Sequence, residues 1–558
     1  MDNKRIIFWG TLGVLLWFNV MTWRHDYPET VVAPSATNSS ALTSAVPTPP
    51  SASSASSNDA QHPAVATNSA DAVKQVPEGS KIHITTDVLD IDINTRGGDI
   101  ERADLLKYAL SREQPNTLVR LLDDHPESKF IVYSGLSSPD PATAPTHETE
   151  FSSDASSYKL QDGKDELSVD LKWTDGHGVN ITKSFVFHRG SYAVDVRYSV
   201  ENTSKVEWRA ASYVQLYRHD LPVKRSMFNA ETYSYRGPMV FDGSKAIKLA
   251  PNSDEAKNFD STITGGWIAA LQHHFVVAAI PDTHESAEYT LKRDTDNDFA
   301  LTYRGPVVSV DPDKTKVISE KLFIGPKLQK QLVATGPKLE LTVDYGRLTL
   351  IAEPLFDVLK FVHKGIGNWG VDIIIVTLLI KAAFYWLTAS SGRSMAKMRT
   401  LAPKLKALQE RYKDDREQLG RATMELYRKE KVNPIAGCLP MLIQMPFLMG
   451  FYWVLIESAE MHQAPFVGWI TDLSARDPYF ILPIIMGIAN FIQFKVNPPQ
   501  ADPTQAKIMA FMPIVMTVMM AWFPAGLLLY WITNTLVSVL QQWRINQLVA
   551  ADAQRGRG

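Results

Sequence analysis

The sequence predicts a multi-domain membrane protein: an N-terminal anchor helix, a large antiparallel β-sandwich and an α-helical core of five membrane spans with a helical hairpin. Three observations predict this fold class. Apolar stretches occur at the start and throughout the last third of the chain, the middle alternates apolar and polar residues, and charge is unevenly divided. Residues 24–346 contain 33 Lys and Arg against 44 Asp and Glu, whereas residues 347–558 contain 22 against 15. An acidic front and a basic back are not typical of one globular domain.

The first apolar stretch, Ile6 to Val20, follows Lys4 and Arg5 and predicts a transmembrane anchor over residues 1–26. A cleavable secretory signal would end in a small-x-small pattern, which is missing after this stretch. The two cations place the N-terminus in the cytoplasm by the positive-inside rule. Residues 27–78 are rich in Ser, Ala and Pro and bury too little apolar surface to offset their ordering entropy, so they are predicted to form a disordered tether.

Residues 79–336 are predicted to form the β-sandwich, outside the membrane, because short runs of period two alternate with turn residues. The main runs are 82–93, 167–173, 181–187, 192–200, 208–217, 267–280, 307–310 and 316–324. The histidines here lack metal-site spacing and no catalytic motif occurs, so no metal, cofactor or catalytic residue is predicted; they include His177, His188, His273 and His274. The single cysteine, Cys438, excludes an intramolecular disulfide.

Residues 347–364 have a helical period, with Leu348, Ile351, Leu355, Leu359 and Val362 on one face. They predict an amphipathic helix that lies along the membrane surface. The alternative is a helix packed on the β-domain. A proline at position 354 either kinks this helix or marks its first turn.

Five apolar segments follow at 370–389, 435–456, 479–496, 508–523 and 526–543. They predict a membrane core over residues 369–545 and a short C-terminal tail at 546–558. The loop 393–434 has twelve Lys and Arg against six Asp and Glu and is placed in the cytoplasm, whereas 457–478 has one Arg against four acids and is placed outside. Together with the anchor, this predicts six spans and both termini in the cytoplasm.

The basic loop 393–434 is predicted to form a helical hairpin, since apolar residues at three- and four-residue spacing recur on both sides of a polar turn. It is either a solvated loop that only sets topology or a docking arm for acidic partners or anionic head groups. The cations assigned to docking are Arg399, Lys404, Lys406, Arg411, Lys413 and Arg416.

Lys381 is the most informative residue, because it lies in the apolar run 373–387 without an acid. A lone cation at the bilayer midplane costs about 2.5–3.5 kcal/mol on insertion scales, so a function is expected. Thr377 lies one turn back on the same face. Either the helix borders water, or the lysine has a partner on another helix. Other predicted spans also contain polar residues. Any one of them alone would more often form a hydrogen bond between helices. Taken together, they are interpreted as lining a shared water-filled groove: Gln444, Asn490, Gln493, Thr533, Asn534 and Thr535.

Motifs across residues 350–545 closely resemble the YidC family of membrane protein insertases from Gram-negative bacteria. They include Gly367-Asn368-Trp369-Gly370, Ser394-Met395-Ala396-Lys397-Met398, Glu430-Lys431-Val432-Asn433-Pro434 and Leu442-Ile443-Gln444-Met445-Pro446. The front half is similar to the same family, and its β-domain opens on the matching motif Asn94-Thr95-Arg96-Gly97-Gly98-Asp99.

The resemblance implies a periplasmic β-supersandwich, a location in the bacterial inner membrane, and a hydrophilic groove open to the cytoplasm and to lipid. A cation in that groove attracts the hydrophilic tail of a substrate, with no covalent chemistry and no cofactor. Lys381 stands where the family usually has Arg, which keeps the charge but not the bidentate fork. Trp386 replaces a frequent Pro, and Trp531 replaces a usual Tyr in the last helix, where a substrate contact is expected.

The partners that the resemblance implies are nascent membrane proteins, the Sec translocon, the ribosome, signal-recognition components and the lipid bilayer, with no nucleic acid recognised directly. Two other functional classes are weighed against this one. A secondary transporter or channel should show repeated halves or an acidic relay within its spans. A membrane-anchored carbohydrate enzyme should show a carboxylate or histidine pair in the β-domain. Neither pattern is found in the sequence.

Overall fold

The computed structural model describes residues 79–555, with gaps at 111–113, 220–233, 251–252, 254–255, 257–258, 282–284, 294–297, 413–414, 431, 433–438 and 498–502. The predicted anchor and tether lie outside the described residues. Strands occupy the first part, and their bounds are β1 Lys81–Thr85, β2 Leu89–Asn94, β3 Asp99–Ala109, β4 Leu118–Leu122, β5 Phe130–Ser137, β6 Ser152–Ser153, β7 Ser157–Lys159, β8 Glu166–Thr174, β9 Val179–His188, β10 Ala193–Asn202, β11 Trp208–His219, β12 Gly237–Phe241, β13 Ala246–Lys248, β14 Asp260–Thr264, β15 Trp267–Leu271, β16 Phe275–Ile280, β17 Ser286–Arg293, β18 Asp298–Val310 and β19 Lys314–Pro326.

The strands form two sheets. One has the order β14-β17-β18-β11-β5-β3-β2-β1-β7, with β4 paired to β3, and the other has the order β13-β12-β15-β16-β19-β10-β9-β8-β6. Pairing in both sheets is antiparallel except between β1 and β7. Because one hydrophobic core takes side chains from both sheets, the predicted antiparallel sandwich is confirmed.

The run 267–280 contains two strands. This segment forms β15 and β16, which turn back on each other at Gln272–His274. Every residue of both strands is buried. A strand that is buried on both faces reads as a continuous apolar run, so the sequence pattern did not show the turn.

The motif Asn94–Asp99 makes the turn between β2 and β3. Gly97 and Gly98 have φ angles of 78° and 64°, a left-handed conformation that favours glycine. Their carbonyls accept hydrogen bonds from Lys183 Nζ at 2.7 and 3.0 Å. A Cβ atom at Gly98 would lie 3.0 Å from the same Nζ atom. Both the turn and the approach of the lysine therefore require glycine here.

The second part is helical, and its α-helices are α1 Gln329–Thr335, α2 Thr349–Ile366, α3 Trp369–Ala383, α4 Tyr385–Thr400, α5 Ala402–Arg411, α6 Arg416–Lys429, α7 Leu439–Glu457, α8 Ile481–Val496, α9 Pro503–Met520 and α10 Ala525–Arg555. Helix α2 covers the predicted amphipathic segment and contains Pro354 in its first turns. It packs on α3 and α7, while Leu350 and Phe361 on its other side are 73% and 76% exposed. Helix α10 includes most of the residues assigned to the C-terminal tail.

The segment 370–389 was expected to form one span, and it is not one continuous helix. Helix α3 ends at Ala383, α4 begins at Tyr385, and their axes meet at 69°. Neither Pro nor Gly stands at the break. The backbone leaves the helical region at Phe384, with φ −95° and ψ 12°, and the ring of Phe384 packs edge-on against Phe447 of α7 at 5.5 Å.

No single described helix has both the length and the hydropathy of a membrane span, whereas α3 and α4 together have them as a bent pair. Ile481–Val496 and Ala510–Met520 are apolar but shorter.

The β-domain and the helices meet at a buried polar joint. The ring of His274, in the β15–β16 turn, lies 3.8 Å from that of His273 and 4.4 Å from that of His462, in the loop after α7. Glu460 in the same loop accepts a hydrogen bond from the backbone N–H of Gln329 at 2.9 Å. Burial, together with nearby Lys327 and Arg236, lowers the pKa of His273 to about 3. The imidazole of His273 is therefore neutral at pH 7.

Candidate functional site around Lys381

Lys381 lies in the last turn of α3 and is half-buried. Its Nζ donates to Ser538 Oγ of α10 at 2.7 Å, and this hydroxyl donates to the Asn534 carbonyl one turn earlier, also at 2.7 Å. The sequence left open whether Lys381 has a partner on another helix, and the structure provides a neutral one. The C-terminal position in α3 also favours a cation, because the free carbonyls there carry partial negative charge.

Acidic residues do not neutralise Lys381 within the part of the chain that the structure describes. Asp372, nearest along the helix, is fully buried and contacts His363 Nδ1 of α2 at 2.6 Å. The described ion pairs do not include Lys381. Within the described residues, the partner of the ammonium is therefore a neutral hydroxyl and not a carboxylate.

Thr377 shares the helix face of Lys381 but is buried, and its hydroxyl donates to the Ile373 carbonyl of its own helix at 2.6 Å. That bond satisfies the hydroxyl within α3. A groove role for Thr377 stays a prediction.

Two other predicted site residues are brought together between α8 and α10. Trp531 Nε1 donates to Asn490 Oδ1 at 3.1 Å, and both side chains are half-buried. Gln444 on α7 and Gln493 on α8 are also half-buried. Within the described residues, neither glutamine side chain joins these hydrogen bonds, so their place in a shared groove stays a prediction.

Helix α10 carries further polar contacts that sequence reasoning missed. Gln541 Nε2 donates to Thr388 Oγ1 of α4 at 2.9 Å, and Gln542 Nε2 donates to the Gly392 carbonyl at 3.1 Å. The two helices approach closely at Gly392, since a Cβ atom there would lie 2.8 Å from Gln542 Oε1 and would displace this side chain. The available signal was the helical spacing that places the missed polar residues on one face with Asn534, namely Ser538, Gln541, Gln542 and Asn546.

The cations assigned to docking are spread over three helices. Arg399 lies on α4, and its Nη1 donates to the Val496 carbonyl of α8 at 3.2 Å. Lys404 on α5 pairs with Glu430 at 2.6 Å, and Arg411 stacks over Tyr412 at 5.7 Å. Exposed Lys406 also lies on α5, Arg416 begins α6, and Lys413 lies outside the described residues. Helices α5 and α6 pack against each other where the hairpin was predicted, and its docking role stays a prediction.

Among the described residues, one group of three could supply metal ligands, Asp123, Asp124 and His125 of the β-domain. Asp123 already accepts from Ser128, and Asp124 pairs with Lys81. What the site around Lys381 offers is a cation with two further N–H groups beyond the bond to Ser538, which can attract an anion or hold water.

Both parts of the chain match families of known proteins. The family model described as 60Kd inner membrane protein matches residues 361–552, and that of the YidC periplasmic domain matches residues 81–358. A protein named membrane protein insertase YidC from Thioalkalivibrio sulfidiphilus (strain HL-EbGR7) is 40% identical over 570 residues, and one of the same name from Pseudomonas putida (strain KT2440) is 40% identical over 558. Each alignment covers 100% of both chains. The crystal structure of an active YidC insertase, with its first transmembrane domain resolved, covers 83% of this chain and 92% of its own at 18% identity and a TM-score of 0.41.

Proposed function

The chain belongs to the YidC family of membrane protein insertases, and we propose that it inserts nascent membrane proteins into the bacterial inner membrane through a polar groove whose cation is Lys381. The single observation that carries the groove is the hydrogen bond from Lys381 to Ser538. It holds an ammonium between α3 and α10 with a neutral partner. A cation already paired with a carboxylate would offer a substrate much less attraction.

The groove acts by lowering the cost of moving a polar tail across hydrocarbon. An acidic residue of a substrate 4 Å from the Lys381 ammonium gains about 1 kcal/mol in water-like surroundings and about 4 kcal/mol at an effective dielectric constant of 20. Polar groups along α10 extend this path on one helix face, through Gln541 and Gln542. The apolar helix of the substrate meanwhile gains free energy by entering lipid.

The proposed membrane arrangement follows the charge distribution. The N-terminal anchor and five core segments span the bilayer, both termini and the hairpin of α5 and α6 lie in the cytoplasm, and the β-domain lies in the periplasm. Helix α2 lies along the periplasmic surface of the inner membrane, with Leu350 and Phe361 facing lipid. The proposed partners at these surfaces are the Sec translocon, and the ribosome with signal-recognition components at the hairpin.

The proposal is tested by depleting the native protein and complementing with Lys381→Ala and Lys381→Arg. Insertion of a small membrane protein with an acidic translocated tail is measured by protease protection. We expect Arg to restore insertion and Ala to lower its rate roughly tenfold, which corresponds to about 1.4 kcal/mol. A matched substrate whose tail acids are changed to amides serves as the control and should lose less.

A second variant separates the charge from the position of the lysine. Ser538→Ala removes the described partner of Lys381 but keeps the cation, so insertion should change by less than threefold. Equal rescue by Lys381→Ala and Lys381→Arg for every substrate would remove the cation from the mechanism.

A further inference from the structure

A cavity of about 560 Å³ opens where the C-terminal ends of α4 and α8 meet the last third of α10. The carbonyl of Val496 ties the three helices together. It accepts from Arg399 Nη1 of α4 and from Asn546 Nδ2 of α10, both at 3.2 Å. Interhelical hydrogen bonds therefore position the walls of this cavity.

The walls of the cavity are positive and aromatic. Arg399 and Lys495 supply two cations, both exposed. Lys495 Nζ lies 4.8 Å from the ring centre of Phe491, and Trp543 of α10 also lines the cavity. Among the described residues, the lining contains no acid. Two positive charges without a lining carboxylate favour an anionic ligand.

The position of the cavity along α10 corresponds to a membrane–water boundary. It begins at Trp543, 18 residues after the first residue of α10 at Ala525, which is roughly 27 Å along a helix. That length is close to the thickness of the hydrocarbon core, about 30 Å. Exposed apolar side chains precede the cavity on both α8 and α10: Ile484, Ile488, Leu536 and Leu540. An apolar band followed by Trp and cations is typical of the head-group region.

We propose that this cavity, the head-group pocket, binds the phosphate of an anionic phospholipid in the cytoplasmic leaflet, with the acyl chains against the exposed apolar faces of α8 and α10. The proposal rests on the membrane orientation given under the proposed function. Basic pockets between helices on the cytoplasmic side suit such head groups. A lipid is favoured over a soluble phosphate because Phe491, Ile492 and Trp543 give the pocket an apolar wall.

The test uses the full-length protein in detergent and counts retained lipids by native mass spectrometry. The probes are phosphatidylglycerol and phosphatidylcholine with the same acyl chains. The wild-type protein should retain phosphatidylglycerol preferentially. The double variant Arg399→Gln, Lys495→Gln should lower its occupancy at least fivefold, because each basic residue near the surface contributes roughly fivefold in affinity. The matched control Arg421→Gln, Arg428→Gln loses two charges from α6 and should retain the lipid.

Two further measurements test the assignment: exchange of the two basic residues for each other, and competition by other anionic ligands. Arg399→Lys with Lys495→Arg should keep phosphatidylglycerol bound, which separates loss of charge from misfolding. Equal retention of both lipids by the wild-type protein, or equal losses in the two glutamine double variants, would overturn the proposal. Displacement of the lipid by equimolar glycerol 3-phosphate would assign the pocket to a soluble phosphate ester, and displacement by an RNA oligonucleotide would assign it to nucleic acid; both outcomes overturn the lipid assignment.

Failure of the lipid site is distinguishable from failure of the proposed function. In vesicles of phosphatidylcholine alone, Lys381→Ala should lose insertion, while in detergent the same variant should keep its phosphatidylglycerol. A wild-type protein that inserts substrate but shows no lipid preference contradicts only the head-group pocket.

Discussion

Two lysines, one in the β-domain and one among the helices, are both cations with apolar neighbours, and their hydrogen bonds show how such cations can have different roles. Lys183 in β9 is fully buried and donates to the Gly97, Gly98 and Ser134 carbonyls and to Ser134 Oγ at 2.7–3.0 Å. Lys381 is half-buried and donates to one described hydroxyl. A buried cation whose donors are all bound to fixed acceptors stabilises its fold, whereas one with spare donors can bind a ligand.

The surroundings of Lys183 support its structural role. The rings of Phe185, Tyr198 and Phe151 lie within 5.2–5.9 Å of its Nζ atom. Burial lowers the pKa of Lys183 to about 8, and Asp99 and Glu320 oppose that shift. At pH 7 the lysine is therefore still charged and bonded to the β2–β3 turn.

The largest expected effect is the loss of stability when Lys183 is removed. Lys183→Met leaves three buried carbonyls without their donor, so the free energy of unfolding should fall by about 3–5 kcal/mol. Lys381→Met is the matched control and should change it by less than about 1 kcal/mol. Denaturant unfolding of the purified full-length protein, followed by tryptophan fluorescence, measures both. Equal losses would contradict the distinction between the two lysines.

The joint between the two parts should respond to acid through His273. Its pKa is about 3 in the folded protein and about 6.5 in the unfolded chain. The unfolded chain therefore binds the extra proton below pH 6.5, and the contribution of His273 is complete above that pH and is lost progressively towards pH 3. At pH 5 the loss is about 2 kcal/mol.

Burial raises the pKa of Glu457, the last residue of α7, to about 7, and this shift changes stability in the opposite direction as the pH falls. The variant His273→Asn therefore isolates the contribution of His273. Between pH 7.5 and 5, the difference in unfolding free energy between wild type and His273→Asn should change by about 2 kcal/mol in favour of the variant. A difference that is independent of pH would show that His273 does not remain neutral in the folded protein.

The smallest expected effect lies between α8 and α10. Trp531→Phe removes the hydrogen bond to Asn490 and should cost about 0.6 kcal/mol, a typical value for a polar contact between membrane helices. A double-mutant cycle with Asn490→Ala measures the coupling. A coupling above about 2 kcal/mol would mean that polar contacts among the helices stabilise the protein as strongly as those around Lys183.

Much of the fold could be predicted because hydrophobic periodicity is local. The alternation in 181–187 and the helical period in 349–366 each reflect which side of one element is buried. The same alternation also placed Lys183 on one face with Ile181 and Phe185, a signal that was available in the sequence. The break at Phe384 could not be predicted, because neither Pro nor Gly marks it, and the ring that Phe384 contacts, Phe447, is distant along the chain.

For the same reason, only part of the candidate site could be predicted from the sequence. The sequence alone determined that Lys381 is a cation in an apolar run, since charge and hydropathy belong to single residues and their neighbours. Only the tertiary structure decided that its partner is Ser538, 157 residues away, and that Lys183 reaches carbonyls 49 to 86 residues distant. Hydrogen bonds depend on atoms within about 3 Å, and which distant atoms come that close is decided by how the helices and strands pack.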